Sequence, residues 1–103
     1  METPMSSAGE FHTAAMRQYA EAKSRGYPDE RYAQMLDERG AVQSALDLVT
    51  ERKLHAMFTR MAGDRAFDLT IEWLMLRPQF EPLFEPAVID RARAPLARVG
   101  FTE

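Results

Sequence analysis

The residues of this chain that could do acid–base or metal chemistry are few, and they lie far apart in the sequence. His12 and His55 are the two histidines, and no cysteine is present. Neither histidine belongs to an H-x-x-x-H or H-E-x-x-H pattern, the spacings that place two metal ligands on one face of a helix. Isolated histidines are usually ordinary half-buried side chains. We therefore expect no metal site and no catalytic role for either residue.

Motifs for nucleophilic or nucleotide chemistry are also missing from the sequence. It contains no G-x-G-x-x-G, no phosphate-binding G-x-x-x-x-G-K-[ST] and no G-x-S-x-G segment. Ser44, Thr59 and Thr70 carry hydroxyls, but each is more simply explained as a helix residue or a helix cap. The sequence thus predicts a protein that is not an enzyme and that needs no cofactor.

The most unusual polar residue is Glu72, because the segment LTIEWLML around it has almost no polar face. A carboxylate buried there must pair with a cation or take up a proton, since an unpaired buried charge is costly. Arg60, Arg65 and Arg77 are near enough in sequence to pair with it. Two interpretations stay open: a structural ion pair between the fourth and fifth helices, which we favour, or an Arg–Glu site for a small polar ligand.

Aromatic residues indicate a protein-interaction surface. Trp73, Phe80 and Phe84 cluster around a proline-bounded linker, and three such rings are more than one thin helical layer can cover. We expect them to form an exposed patch that binds a protein partner or a second copy of the chain, most simply as a two-fold dimer. The predicted function is therefore a non-catalytic protein-interaction or self-associating module.

A nucleic-acid-associated accessory protein is the alternative function. Its contacts would come from Arg60, Arg65 and the arginines of the last helix, which are Arg91, Arg93 and Arg98. The net charge of −3 argues against this function, because neutralisation of phosphates supplies most of the affinity for nucleic acid. Nucleic acid is therefore the less favoured partner.

Composition predicts one soluble domain. Apolar residues make up 46% of the chain and charged residues 28%, mixed along its length as in globular proteins. The segment METPMSSAGE has neither the basic nor the apolar region of a signal peptide, and no stretch approaches the roughly 18 apolar residues that cross a membrane. With no cysteine in addition, we expect a cytoplasmic protein without a membrane partner.

Helical periodicity and cap residues predict an all-α fold, a compact bundle of five or six short helices. We expect a flexible N-terminus over 1–8, one helical domain over 9–100 and a flexible C-terminus over 101–103. Four of the expected helices run from near Gly9 to Gly26, from Pro28 to Gly40, from Leu54 to Met61 and from Pro86 to Gly100. Two more are expected to begin directly after Gly40 and after the cap Asp68.

In two segments, local features of the sequence compete with a regular helix. LTIEWLML alternates as a strand would, but a lone strand leaves its backbone groups unpaired and no other stretch offers a partner, so we expect a helix. Pro95 lies inside the last helix, where its ring removes a backbone hydrogen bond. We expect a kink or an early end of the helix there.

Several short motifs make this chain resemble a family of small, uncharacterised bacterial all-helical proteins. The resemblance rests on FHTAAM, on Gly26-Tyr27 followed by RYAQML, on GAV, and above all on FTRM, DLTIE and RPQFEPLF. It covers nearly everything from Phe11 to Gly100, although Trp73 stands where the family has a small residue. The resemblance implies a helical fold, and it implies no activity.

Overall fold

The structure, a computed structural model, describes residues 6–51 and 57–101, and these residues form six α-helices with no β-strand among them. The α-helices are Ser6–Ser24 (α1), Glu30–Arg39 (α2), Ala41–Thr50 (α3), Phe58–Gly63 (α4), Ile71–Met75 (α5) and Pro86–Arg98 (α6). Two 3-10 turns, Phe67–Leu69 and Glu81–Leu83, precede α5 and α6 respectively. The predicted all-α fold is confirmed as a bundle of six helices.

The longest helix, α1, begins at Ser6 and not near Gly9 as the sequence indicated. Its end agrees with the prediction, because Gly26 takes the left-handed conformation with φ of 96°. The N–H of Tyr27 then bonds back to the carbonyl of Ala22 at 2.9 Å, which closes the last turn. Neither α1 nor another helix in the described part of the chain is long and apolar enough to cross a membrane.

Asp29, and not Pro28, starts α2. Its side chain accepts a hydrogen bond from the backbone N–H of Tyr32 at 3.1 Å, which is the usual N-cap contact, and Pro28 lies one residue outside. Gly40 ends α2 with φ of 82° and also starts α3, so one residue joins the two helices. The direct restart after Gly40 is therefore confirmed.

The helix α3 lies at the centre of the bundle and contacts α1, α2, α5 and α6. The fully buried apolar side chains of the core come from five helices: Phe11, Ala15, Leu36, Ala45, Ile71, Met75, Ala92 and Leu96. A second, smaller cluster packs the end of α1 against α4, and its members are Ala22, Tyr27, Met61, Ala66 and Leu69. Burial of this apolar surface, at about 25 cal/mol per Å², is the main stabilising contribution to the fold.

The segment that positions Glu72 is a short helix, so the helical prediction for it is confirmed. Thr70, and not Asp68, is the N-cap of α5, and its Oγ1 accepts a hydrogen bond from the N–H of Trp73 at 3.2 Å. Gln18 of α1 ties this start in place, since its Nε2 donates to the carbonyl of Thr70 at 2.8 Å and to that of Asp68 at 2.9 Å. The preceding helix α4 begins at Phe58, while the predicted start at Leu54 lies outside the described residues.

Pro95 does not end α6. The helix begins at Pro86, as predicted, and continues through Pro95 to Arg98. Gly100 closes it with φ of 93°, and the N–H of Phe101 bonds to the carbonyl of Leu96 at 3.0 Å. One missing backbone bond near the end of a helix costs less than the same loss in mid-helix, because the last turn is already incomplete.

The dimensions of the chain are those of a compactly folded domain. Its solvent-accessible surface is 6013 Å², and a folded chain of this mass is expected to expose about 5,900 Å². The radius of gyration is 12.9 Å, against about 13 Å for a compact chain of this length.

Candidate functional site

The predicted interface patch is not exposed. Phe80 and Phe84 are each 6% exposed, and their rings pack edge-on against Phe11 of α1 at centroid distances of 5.3 and 5.4 Å. Edge-to-face packing of this kind stabilises a core beyond the area that it buries. The proline-bounded linker folds back onto the bundle, so these two rings hold α1 to the start of α6 and offer no free surface.

Trp73, the third residue of that patch, is half-buried and covered by its neighbour Arg77. The guanidinium carbon of Arg77 lies 4.0 Å from the centroid of the indole, and its Nε donates to the carbonyl of Trp73 at 3.1 Å. A stacked guanidinium contributes a cation–π attraction and shields the ring from solvent. Arg77 is thus occupied at the surface and does not reach Glu72.

Glu72 lies inside the fold, and the predicted ion pair with an arginine is not formed. The side chain is 0% exposed, and neither carboxyl oxygen has a hydrogen-bond partner among the described residues. It lies in the first turn of α5, while Arg60 in α4 and Arg65 in the turn after α4 are exposed. Spacing along the chain indicated proximity, but Glu72 is buried and these arginines lie at the surface.

Burial sets the protonation of Glu72. Loss of hydration raises the pKa of this carboxyl from 4.5 to about 7. The pKa of Tyr32 is raised as well, first by burial and then by the nearby charge of Glu72. Glu72 is therefore an internal acid close to its titration point at neutral pH, enclosed by the bundle and out of contact with solvent.

The three arginines that the sequence assigned to Glu72 all lie over aromatic rings instead. Besides Arg77, the guanidinium of Arg60 lies 5.4 Å from the ring centroid of Tyr27, and that of Arg65 lies 5.0 Å from the ring of Phe67. Each guanidinium keeps contact with water while its flat face covers an apolar surface. An Arg–Glu site for a small polar ligand is therefore not assembled by these residues.

A groove lies between the end of α4 and the end of α6. It encloses about 520 Å³. Its lining is mostly apolar and comes from both helices and the turns that follow them: Phe58, Thr59, Ala62, Gly63, Arg65, Pro95, Arg98 and Val99. Sequence reasoning pointed to Arg65 but not to this groove, because residues about 35 positions apart form its two walls.

Arg65 carries the most unusual backbone conformation of the groove. Its φ is 61°, and no other non-glycine residue of the described part has a positive φ. A side chain in this left-handed region costs about 1 kcal/mol relative to glycine, which is the common residue at this position after a helix. Backbone strain of this kind is frequent at binding sites. The sequence does not reveal the positive φ of Arg65, because no residue type at this position indicates it.

The guanidinium of Arg65 is held in a defined place. It packs on Phe67, and its Nη1 lies 3.4 Å from the position that a Cβ on Gly100 would take, so it contacts the closing turn of α6. Neither Arg65 nor Arg98 forms an ion pair with a described residue. Two positive charges thus border an apolar groove, and that of Arg65 is held in place by its neighbours.

The other arginines of α6 are engaged elsewhere. Arg91 donates to the carbonyl of Thr50 at 3.1 Å. Arg93 lies 3.3 Å from Asp90 and 3.6 Å from Glu81 in exposed ion pairs. The basic surface that the nucleic-acid alternative requires is therefore divided, and only Arg65 and Arg98 share one groove.

The remaining polar candidates have structural roles or lie outside the described residues. His12 accepts a hydrogen bond at Nδ1 from the N–H of Ala41 at 3.0 Å, so it satisfies the first turn of α3. His55 lies outside the described residues. Within the described part, no group of three His, Asp or Glu side chains could hold a metal ion. Ser44 is buried in α3, and Thr59 lines the groove.

Comparisons of this chain with family models, curated proteins and solved structures gave no match. The resemblance to small bacterial all-helical proteins therefore stays a prediction from the motifs.

Proposed function

We propose that this protein is a small non-catalytic module that binds a segment of a protein partner in the groove between α4 and α6. The observation that carries the proposal is the combination of an apolar groove with two guanidiniums at its border that make no ion pair with a described residue. Clefts of about 300–1,000 Å³ are the usual size for a bound ligand. A volume of about 520 Å³ suits one or two side chains of a docked peptide.

Exposure of apolar groups supports binding at this place. Val99 is 38% exposed and is one of two large apolar side chains that the described part of the chain leaves exposed; the other, Met16, lies on α1. In the groove, Val99 and Pro95 of the α6 segment face Phe58 and Ala62 of α4. Apolar surface bordered by polar groups is typical of interaction sites.

The polar groups of the groove support binding rather than catalysis. Its only hydroxyl is that of Thr59, and none of its described lining residues is His, Asp or Glu, the common general bases. Glu72 has the raised pKa of an internal acid, but it is enclosed by the bundle. A reaction in the groove would lack a group to move a proton.

A protein partner is favoured over nucleic acid and over a second copy. Two arginines at one groove would neutralise at most a few phosphates, whereas nucleic-acid-binding proteins make about 6 to 10 phosphate contacts. Phe80 and Phe84, which were expected to contact a second copy, are buried in the core. A short segment of another protein matches the size and the apolar character of the groove.

A variant that fills the groove provides the test. A Cβ placed on Gly63 meets no atom within 4 Å, so Gly63→Gln puts a long polar side chain at the groove without a clash. We expect random peptides displayed on phage and selected on the wild-type protein to shift the backbone amide NMR signals of α4 and α6. We also expect them to lose binding to Gly63→Gln.

The control is Ala20→Gln, which adds the same side chain on the exposed face of α1. It should bind the selected peptides as the wild type does. Selected peptides that bind Gly63→Gln with undiminished affinity would contradict the proposal, and so would a selection that enriches no peptide.

A further inference from the structure

The charge at the groove points to the chemistry of its occupant. Arg65 and Arg98 each carry a full positive charge, and the lining includes no carboxylate among the described residues. Asp64 is next to Arg65 in sequence, but its carboxylate accepts a hydrogen bond from the hydroxyl of Tyr27 and does not line the groove. The positive charge of the groove is therefore not neutralised locally.

Helix ends do not cancel this charge. The carboxyl-terminal ends of α4 and α6 both meet the groove, and each helix end contributes at most about half a negative charge. Two guanidiniums exceed that sum by about one charge. An anionic group thus gains from binding here, and an additional cation does not.

The arginine side chains are suited to carboxylates in particular. A guanidinium donates two parallel hydrogen bonds to the two oxygens of a carboxylate, which gives direction as well as attraction. Arg65 is already held between Phe67 and the closing turn of α6, so little conformational freedom is lost when it binds. A ligand side chain that covers the apolar floor beside it displaces water and strengthens the attraction.

We infer that the groove binds an acidic peptide segment in which an apolar side chain enters the space between Phe58 and Pro95, while flanking carboxylates bind Arg65 and Arg98. This inference rests on the proposed function and names its ligand class. A neutral or basic segment would fill the floor but leave both guanidiniums without a partner. A nucleic acid strand would engage the charges but leave the apolar floor empty.

Defined peptides test this inference on the full chain. The probes are acetylated and amidated hexapeptides: Glu-Glu-Leu-Phe-Glu-Glu, its glutamine counterpart Gln-Gln-Leu-Phe-Gln-Gln, and its serine counterpart Glu-Glu-Ser-Ser-Glu-Glu. Backbone amide shifts of α4 and α6 report the site and the affinity. We expect the first peptide to bind at least about tenfold more tightly than either counterpart, since each lacks one of the two contacts.

Variants of the arginines locate the effect. Arg98→Gln should weaken the acidic peptide severalfold and leave the glutamine peptide unchanged, because it removes a carboxylate partner and retains the apolar floor. Arg17→Gln, which removes an exposed charge from α1, should change neither affinity. A loss of the acidic preference in Arg17→Gln would show that only the overall charge attracts the peptide, and it would overturn the inference.

The remaining outcomes separate the inference from the proposed function. Equal affinity of the acidic and glutamine peptides, with both lost in Gly63→Gln, overturns the acidic ligand and leaves the groove as a docking site. No shift of α4 or α6 amides with any peptide overturns both. Tighter binding of a single-stranded DNA oligonucleotide at the same amides, falling steeply with salt, also overturns the acidic peptide.

Discussion

At the scale of single residues, Glu72 is the least conventional feature of the fold. It is a fully buried carboxyl without a hydrogen-bond partner in the described part of the chain, on a helix that packs into the core. A buried acid of this kind stays in the fold by keeping its proton, which lowers the cost of burial. Glu72 therefore links the stability of the protein to pH.

The sign of that link follows from the two protonation states. The pKa of Glu72 is about 7 in the folded protein and 4.5 for an ordinary glutamate. Between these values the folded protein holds a proton that the unfolded chain has released, so the free energy of unfolding falls as pH rises from about 4.5 to about 7. This fall amounts to roughly 3 kcal/mol and levels off above pH 7.

Glu72→Gln removes this titration and keeps the size of the side chain. We expect urea unfolding to show that the free energy of unfolding of the variant, relative to that of the wild type, rises by roughly 3 kcal/mol between pH 4 and pH 8. Glu21→Gln is the control, because Glu21 is exposed and lies 3.6 Å from Arg25 in a surface pair. Parallel curves for the wild type and Glu72→Gln would mean that Glu72 ionises normally.

At the scale of elements, sequence patterns predicted what depends on neighbouring residues. Gly40 and Gly100 end helices as expected, since a left-handed conformation after a helix is a local property of glycine. The first residue of α2 was predicted at Pro28 and is Glu30, after the N-cap Asp29, while the cap of α5 was predicted at Asp68 and is Thr70. Asp68 and Thr70 are both acceptable caps, and only the packing of the helix selects one.

Contacts between distant elements were not predictable from the sequence. Glu72 was recognised as buried because its helix has no polar face, yet its assigned arginines turned outward. The rings of Phe80 and Phe84 were expected at the surface because three rings exceed what one thin helical layer can cover, but they pack against Phe11 of α1. The groove depends on where α4 and α6 end relative to each other, which no local pattern encodes.

The cap of α5 provides a test at this scale. The hydroxyl of Thr70 accepts from the N–H of Trp73 and donates to the carbonyl of Phe67 at 2.8 Å, and the residue is fully buried. We expect Thr70→Ala to lower the free energy of unfolding by about 1–2 kcal/mol. Thr13→Ala, on the exposed face of α1, should change it by less than about 0.5 kcal/mol. Equal effects would show that α5 does not depend on this cap.

At the scale of the whole molecule, the structure changes the expectation for self-association. The dimer predicted from the sequence relied on exposed rings at Trp73, Phe80 and Phe84, and two of these rings are in the core. We therefore expect the protein alone to be a monomer of 11.8 kDa by light scattering at micromolar concentration. A mass of two chains would contradict this expectation, and retention of that mass in Gly63→Gln would place the interface outside the groove.

We propose that the groove between α4 and α6 serves binding and not stability, and the variant Arg65→Gly separates the two roles. Glycine relieves the positive φ of Arg65 and removes the guanidinium. We predict a free energy of unfolding within about 1 kcal/mol of the wild type or higher, together with an affinity for Glu-Glu-Leu-Phe-Glu-Glu that is lower by about tenfold. A variant that is destabilised by several kcal/mol and binds the peptide as tightly as the wild type would contradict the claim.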